Sequence, residues 1–181
     1  MASEQRERIL RFYRGGEGEE TAMRLLDLAE NVMTTQKFRI TPFLDPYGQE
    51  IAETVRASYD GLRLDFDGGY AGAERQRAML LHEDFAGTPG GYEIVCVTAA
   101  WNGQFAHLTH RDVLGALMGL GIDRGGVGDI LLAGDTAKIL CDTKMAHFIM
   151  EELTMIGAVR VTTALGDLAD IAPREERTKE I

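Results

Sequence analysis

The run Thr109-His110-Arg111-Asp112-Val113-Leu114-Gly115-Ala116-Leu117-Met118-Gly119-Leu120-Gly121-Ile122, with Gly128-Asp129 close behind it, constrains this chain more than any other stretch. Thr109 is a good helix N-cap, and Asp112 stands three residues on, where its carboxylate reaches back to free backbone donors. Val113, Leu114, Leu117 and Met118 then share one helical face, and the helix is expected to stop near Gly119 or Gly121. A packed helix needs neither the His110-Arg111 pair nor glycines at 115, 119 and 121. Fold and function are therefore expected to meet here.

Upstream, Arg6, Arg8, Arg11 and Arg14 decorate a short helix that Gly15-Gly16 ends. Ala22, Leu25, Leu26, Ala29, Val32 and Met33 recur at steps of three and four and predict one buried helical stripe. Phe38 to Leu44 reads as a strand. Asp45-Pro46 opens a helix, with Asp as N-cap and Pro in the first helical position, and Ile51, Ala52 and Val55 form its inner face. Leu62 to Phe66 alternates as a half-buried strand, and Arg75 to Leu81 follows the Gly68-Gly69 turn as another. Gly87-Thr88-Pro89-Gly90-Gly91 has the composition of a linker.

Beyond it the order is strand Tyr92–Ala100, helix Thr109–Leu120, strand Ile130–Ala133, a Gly134-Asp135 hairpin turn and strand Ala137–Cys141. A helix from Thr143 to Ile156 follows, with Met145, Phe148, Ile149, Leu153 and Ile156 inward, and strand Ala158–Thr163 closes the unit. The fold class expected is α+β: two small α/β domains, residues 1–86 and 92–166, joined by a linker at 87–91. The second is ferredoxin-like, β-α-β-β-α-β. Residues 167–181 form a charged tail, and the chain is expected to end at a domain boundary.

Composition narrows the partners. The 181 residues are 45% hydrophobic and 27% charged, which is globular, and the net charge of −10 argues against binding a polyanion through bulk electrostatics. Contact with nucleic acid then requires a local cationic patch or a further domain. Cys96 and Cys141 lie in apolar runs without metal-type spacing and read as small buried hydrophobes. The charged start is unlike a signal peptide and no apolar run nears about 20 residues, so a cytoplasmic protein without a membrane partner is expected.

His110-Arg111-Asp112 matches the opening of a protein-kinase catalytic loop, but Leu117 stands where that loop needs Asn. His82, His107, His110 and His147 lack metal spacing, and no Ser-His-Asp or Cys-His arrangement emerges. No metal, no cofactor and no catalytic residue is expected, and the chain is read as a non-enzyme. Chemistry on a phosphorylated substrate at His110 and Asp112 is the weakest alternative. Free amides and the positive dipole end at Thr109–Asp112 suit an anion, with His110 and Arg111 beside them; a merely closed cap is the competing reading. Gly119, Gly121 and Gly128 around Arg124 either let backbone approach a phosphate or form a helix end and a tight turn. Gly68-Gly69-Tyr70, with Arg75 and Arg77, offers a stacking ring and two cations to RNA. Equally, Tyr70 packs over the turn while Glu74 pairs an arginine. The strand Ala137–Cys141 lacks the aromatics with which RNA-recognition motifs stack bases, so loop contacts are favoured.

Phe43-Leu44-Asp45-Pro46, Gly68-Gly69-Tyr70 with Gly72-Ala73-Glu74-Arg75, the block from His110 to Ile122 and Gly128-Asp129 occur in an order and spacing that resembles the YlmH family, over about residues 20 to 165. That family comprises bacterial RNA-binding proteins with a C-terminal domain like that of ribosomal protein S-four, often encoded near the cell-division cluster. The resemblance implies association with stalled large ribosomal subunits carrying peptidyl-tRNA, in a quality-control pathway, with rRNA or tRNA as partner and ribosomal proteins as further contacts. It implies an S-four-like domain beyond the tail, absent from these residues. Carried over by position, it points to Tyr70, Arg75, Arg77, His110, Arg111 and Arg124 for RNA contact. The acidic balance supports a second reading, a protein-interaction platform linked to translation or division, with RNA affinity residing in that further domain.

Overall fold

An apolar stripe at helical spacing folds the start of the chain onto itself. Helix α1 (Ala2–Tyr13) buries Ile9 and Tyr13, and the chain leaves it through Gly15 at φ 76°. Helix α2 (Glu19–Thr35) buries Ala22, Leu25, Leu26, Ala29 and Val32, then stops at Gln36 in the left-handed region, whose N–H donates to the Val32 carbonyl. Strand β1 (Phe38–Leu44) leads into α3 (Pro46–Ala57), where Asp45 accepts the Gly48 N–H at 2.8 Å and Pro46 occupies the first turn. Strands β2 (Leu62–Asp67) and β3 (Gln76–His82) complete an antiparallel sheet of order β1-β3-β2.

This is a computed structural model that describes residues 2–87, 89, 93–103 and 106–168. The chain divides into two units, the first holding residues up to 67 and 75–89, the second holding 68–74 and the residues from 90 on. A single boundary at 87–91 puts 68–74 in the first half, whereas in the structure these residues belong to the second unit. Thr88, Gly90, Gly91 and Tyr92, and the charged tail from 169, lie outside the described residues.

In the first unit, α1, α2 and α3 supply the core together with Leu44, Leu62, Ala78 and Leu80. Pro42 lacks an N–H, and the β1–β3 register shifts between Ile40 and Phe43. There the Thr41 hydroxyl accepts the Ala78 N–H at 2.8 Å, so a side chain replaces the lost ladder bond. Arg6 on α1 reaches Asp27 at 2.9 Å and Glu30 at 3.2 Å on α2. The Tyr59 hydroxyl donates to Glu30, and burial together with the Glu30 charge pushes the phenol up to about 12.

The second unit runs β4 (Ile94–Ala100), α4 (His110–Gly119), a 3₁₀ turn at Arg124–Gly126, β5 (Val127–Ala133), β6 (Thr136–Asp142), α5 (Thr143–Glu152), β7 (Met155–Ile156), β8 (Val159–Arg160) and β9 (Thr162–Gly166). Its main sheet has the order β5-β6-β4-β9, antiparallel throughout. Setting aside the β7–β8 hairpin, this is the β-α-β-β-α-β order expected, and the protein is an α+β fold. Val97, Ala99, Ile139, Cys141, Val113, Leu117, Ala146 and Ile149 meet in the core between sheet and helices. By alternation, Ile94, Cys96 and Leu140 face the other side, and all three are buried. Cys96 pairs with Leu140 and Val95 with Cys141, so the two thiols project from opposite faces. Burial pushes the Cys96 thiol up.

Several boundaries differ from expectation. Helix α5 ends at Glu152, and Ile156 reaches the core from β7 instead, because a residue four positions past a helix end satisfies an apolar spacing from a strand equally well. The residues read as one strand, 158–163, split at Val161 into β8 and β9, with β8 the second arm of a β7–β8 hairpin turned by Gly157 at φ 61°. Met118 and Phe148 are exposed, each about 100° around its helix from the buried Leu117 and Ile149. Strand β5 starts at Val127, three residues early, across a register shift between Val127 and Ile130.

Ile139→Ala, at the centre of the second core, is expected to cost about 2–5 kcal/mol. Trp101, the single tryptophan, sits in that core, so its fluorescence should report a lower urea midpoint for this unit.

Candidate functional site

The front of α4 is built by short-range chemistry. The Thr109 hydroxyl accepts the Asp112 N–H at 3.2 Å, and Asp112 Oδ2 accepts the Thr109 N–H at 2.8 Å, which closes a reciprocal capping box. The Thr109 N–H, then the Thr109 hydroxyl, hold the Asp112 carboxyl below its ordinary range. His110 and Arg111 follow on the exposed first turn, and the Arg111 side chain makes no hydrogen bond or ion pair among the described residues. An open groove of about 560 Å³ runs alongside, lined by Arg111, Asp112, Gly115, Ile156 and Gly157 among others. His110 is not among the lining residues, and an open groove gives a His110–Asp112 reaction neither enclosure nor exclusion of water.

The glycines expected to cradle a phosphate have local duties. Gly121 at φ 88° turns the chain out of α4, and Gly119 lies in the last helical turn. Arg124 donates through Nη1 to the Val127 carbonyl at 2.7 Å and to Gly128 at 3.3 Å, so its guanidinium clamps its own turn. Gly128 is buried within the β5 irregularity.

Next to it, Asp129 does what the sequence pattern did not reveal. Its Oδ2 accepts the Tyr70 hydroxyl at 2.6 Å and the Glu74 N–H at 2.8 Å. Gly69, at φ 92°, lies so close to Ile94 that an added Cβ would stand 2.8 Å from its methyl group. The Gly68-Gly69-Tyr70 turn is thus pinned flat on the sheet face opposite the helices. Tyr70 is half-buried and anchored through its hydroxyl on Asp129. Only the pairing of Gly128 with Asp129 hinted at this role, and nothing in the sequence named Tyr70 as the donor.

Arg75 and Arg77 come together in the first unit, both at Phe43. Arg75 Nη2 donates to the Phe43 carbonyl at 2.9 Å. Arg77, the cross-strand partner of Phe43, stacks its guanidinium over that ring at 5.2 Å and is only 6% exposed. So placed, the Arg77 cation is committed inside the fold. Within the second unit, the capping box gathers His110 and Arg111 at the start of α4, while Tyr70 meets Asp129 and Arg124 holds its own turn. Among the described residues no cluster of three metal-ligating side chains occurs, and no helix is long and apolar enough to cross a membrane.

Comparison with known proteins bears on both units. Residues 17–85 match the family described as "YlmH, N-terminal", and residues 88–170 match "Putative RNA-binding domain in YlmH". Neither description names a reaction. The chain is 33% identical over 140 residues to "Ribosome-associated protein quality control protein P2" of Bacillus subtilis (strain 168), covering 77% of this chain and 54% of that protein. It therefore spans about half the length of the curated relative it matches. The fold is that of the solved structure "Cell division protein ylmH from Streptococcus pneumoniae", with a TM-score of 0.71 at 23% identity, covering 85% of this chain and 93% of that one.

Two outcomes follow for the second unit. Asp129→Ala strips a charged acceptor from two donors and is expected to cost about 1.5–3 kcal/mol, with faster hydrogen exchange at the Glu74 amide. Thr109→Ala should cost about 1 kcal/mol at neutral pH. Because the folded Asp112 carboxyl titrates below its unfolded value, the cap's contribution is complete above the ordinary carboxylate range and is lost as pH falls through the lowered value. The Thr109→Ala deficit should accordingly shrink in acid, as read from urea midpoints at a series of pH values.

Proposed function

The chain belongs to the YlmH family, and on that premise we propose that it is a non-enzymatic, ribosome-associated RNA-binding protein that settles on RNA phosphates of the large subunit. The finer reading is that it serves quality control on stalled large subunits, with rRNA or tRNA as its partner. One observation carries the assignment of a surface: residues 88–170 match the family "Putative RNA-binding domain in YlmH", and within them the α4 N-terminus presents an Arg111 side chain with no partner among the described residues, beside an open groove. A helix N-terminus supplies N–H donors and a positive dipole end, and a free guanidinium supplies a bidentate phosphate clamp. His110 is exposed at the same turn. Such contacts set position on an RNA without reading its sequence, which suits a chain whose sheet strand β6 carries no stacking aromatic.

Arg124, Arg75 and Arg77 shape the fold in this reading, and Tyr70 fixes the 68–74 turn. That division of labour is testable. Co-sedimentation of the full chain with large subunits should weaken on Arg111→Ala, and the slope of log affinity against log salt should fall by about 0.7–0.9. Unchanged sedimentation at every salt concentration would remove Arg111 from the interface. Sedimentation that survives nuclease digestion of the RNA would favour a protein partner instead.

A further inference from the structure

The outer face of α1 is not explained by the fold. Ile9 and Tyr13 are buried, with Leu10 packed beside them, so the helix is anchored along one stripe. On the other side Arg8, Arg11 and Phe12 stand at i, i+3 and i+4, one above another. Phe12 is 80% exposed, more than any other large apolar side chain among the described residues. Arg11 suits the negative end of the helix dipole, and Glu7 at 3.9 Å is a loose, solvent-screened partner. Neither effect accounts for a phenyl ring held in water.

That ring is also well supported. Phe12 meets Tyr13 edge-on with centroids 5.0 Å apart, and Tyr13 meets Tyr47 edge-on at 6.4 Å. Gly18 lets these groups close up, since a Cβ there would come within 3.0 Å of Tyr13, Tyr47 and Ile51. Arg14 follows directly after the helix, exposed. The side chains of Arg8 and Arg14 make no hydrogen bond or ion pair among the described residues.

We propose that this face of α1 binds single-stranded RNA, with a base stacked on Phe12 and neighbouring phosphates held by Arg8, Arg11 and Arg14. An exposed ring flanked by guanidinium groups complements an unpaired base and its backbone charge. A duplex keeps its bases stacked on one another and offers this ring nothing. A membrane surface is a poorer fit, because helices that lie on bilayers bury a broad apolar face, and the apolar face of α1 is turned into the core. The site lies outside the residues matched by the two family descriptions, which begin at 17. It extends the RNA-binding reading to a second surface and rests on it for its choice of ligand.

The test uses the full chain, a fluorescein-labelled oligouridylate of about 12 nucleotides, and a matched RNA duplex, read by anisotropy. Phe12→Ala should weaken oligouridylate binding about fivefold or more, and Phe12→Trp should restore it. Arg8→Gln and Arg11→Gln should each lower the salt slope by roughly 0.7. Because Phe12 is exposed, unchanged circular dichroism is expected of its variants. Equal affinity of Phe12→Ala and the unaltered chain, or no binding of the oligouridylate at all, overturns the proposal. So does a Phe12→Ala loss seen only on phosphatidylglycerol vesicles. Sedimentation with large subunits decides the Arg111 surface separately, so the two readings fail independently.

Discussion

The carboxylate of Asp129 is the point on which the second unit turns. A strand alternates its side chains, yet Val127 and Ile130 both face the helices, which regular pleating forbids for residues three apart. The register shift between them absorbs the odd residue: Val127 pairs with Cys141 and Ile130 with Ile139. Asp129 is thereby turned to the opposite face, where it gathers the Tyr70 hydroxyl and the Glu74 amide. Gly69 then rests on Ile94 and Leu140, which a sheet open to water would leave uncovered. One inserted residue thus sets both the core alternation and the attachment of a segment 55 to 59 positions away in sequence.

The same economy governs the cations. A chain of net charge −10 has few positive groups to spare, and several are committed internally. Arg6 joins α1 to Asp27 and Glu30, Arg77 stacks on Phe43, Arg75 holds the Phe43 carbonyl and Arg124 holds its turn. What remains at the surface is therefore informative. Arg111 at the head of α4, Arg8 on α1 and Arg14 just past its end are among the exposed cations whose side chains have no partner among the described residues.

Legibility followed distance along the chain. The Thr109–Asp112 box, the Asp45-Pro46 cap and the Gly134-Asp135 turn close within a few residues, so residue type alone specifies them. The β5 irregularity, the β7–β8 hairpin and the exposure of Met118 and Phe148 depend on what lies across the sheet, which no local pattern encodes. The arginines of the 68–77 stretch show the limit most clearly. Glycines, a tyrosine and two arginines suggest an open RNA turn, but cross-strand pairing sets Arg77 beside Phe43 and a distant aspartate takes Tyr70. Charge that looks available in sequence is often already answered by a neighbour that only the fold supplies.

The placement of the two cysteines has a practical consequence. Cys141 is sealed beneath the helical layer, while Cys96 lies under the face that residue 69 helps to cover. Each thiol is silent until its own side of the sheet opens, and their opposed directions forbid a bridge between them. The chain thus carries two built-in alkylation clocks, one timing the lifting of the helices and the other the breathing of the opposite face.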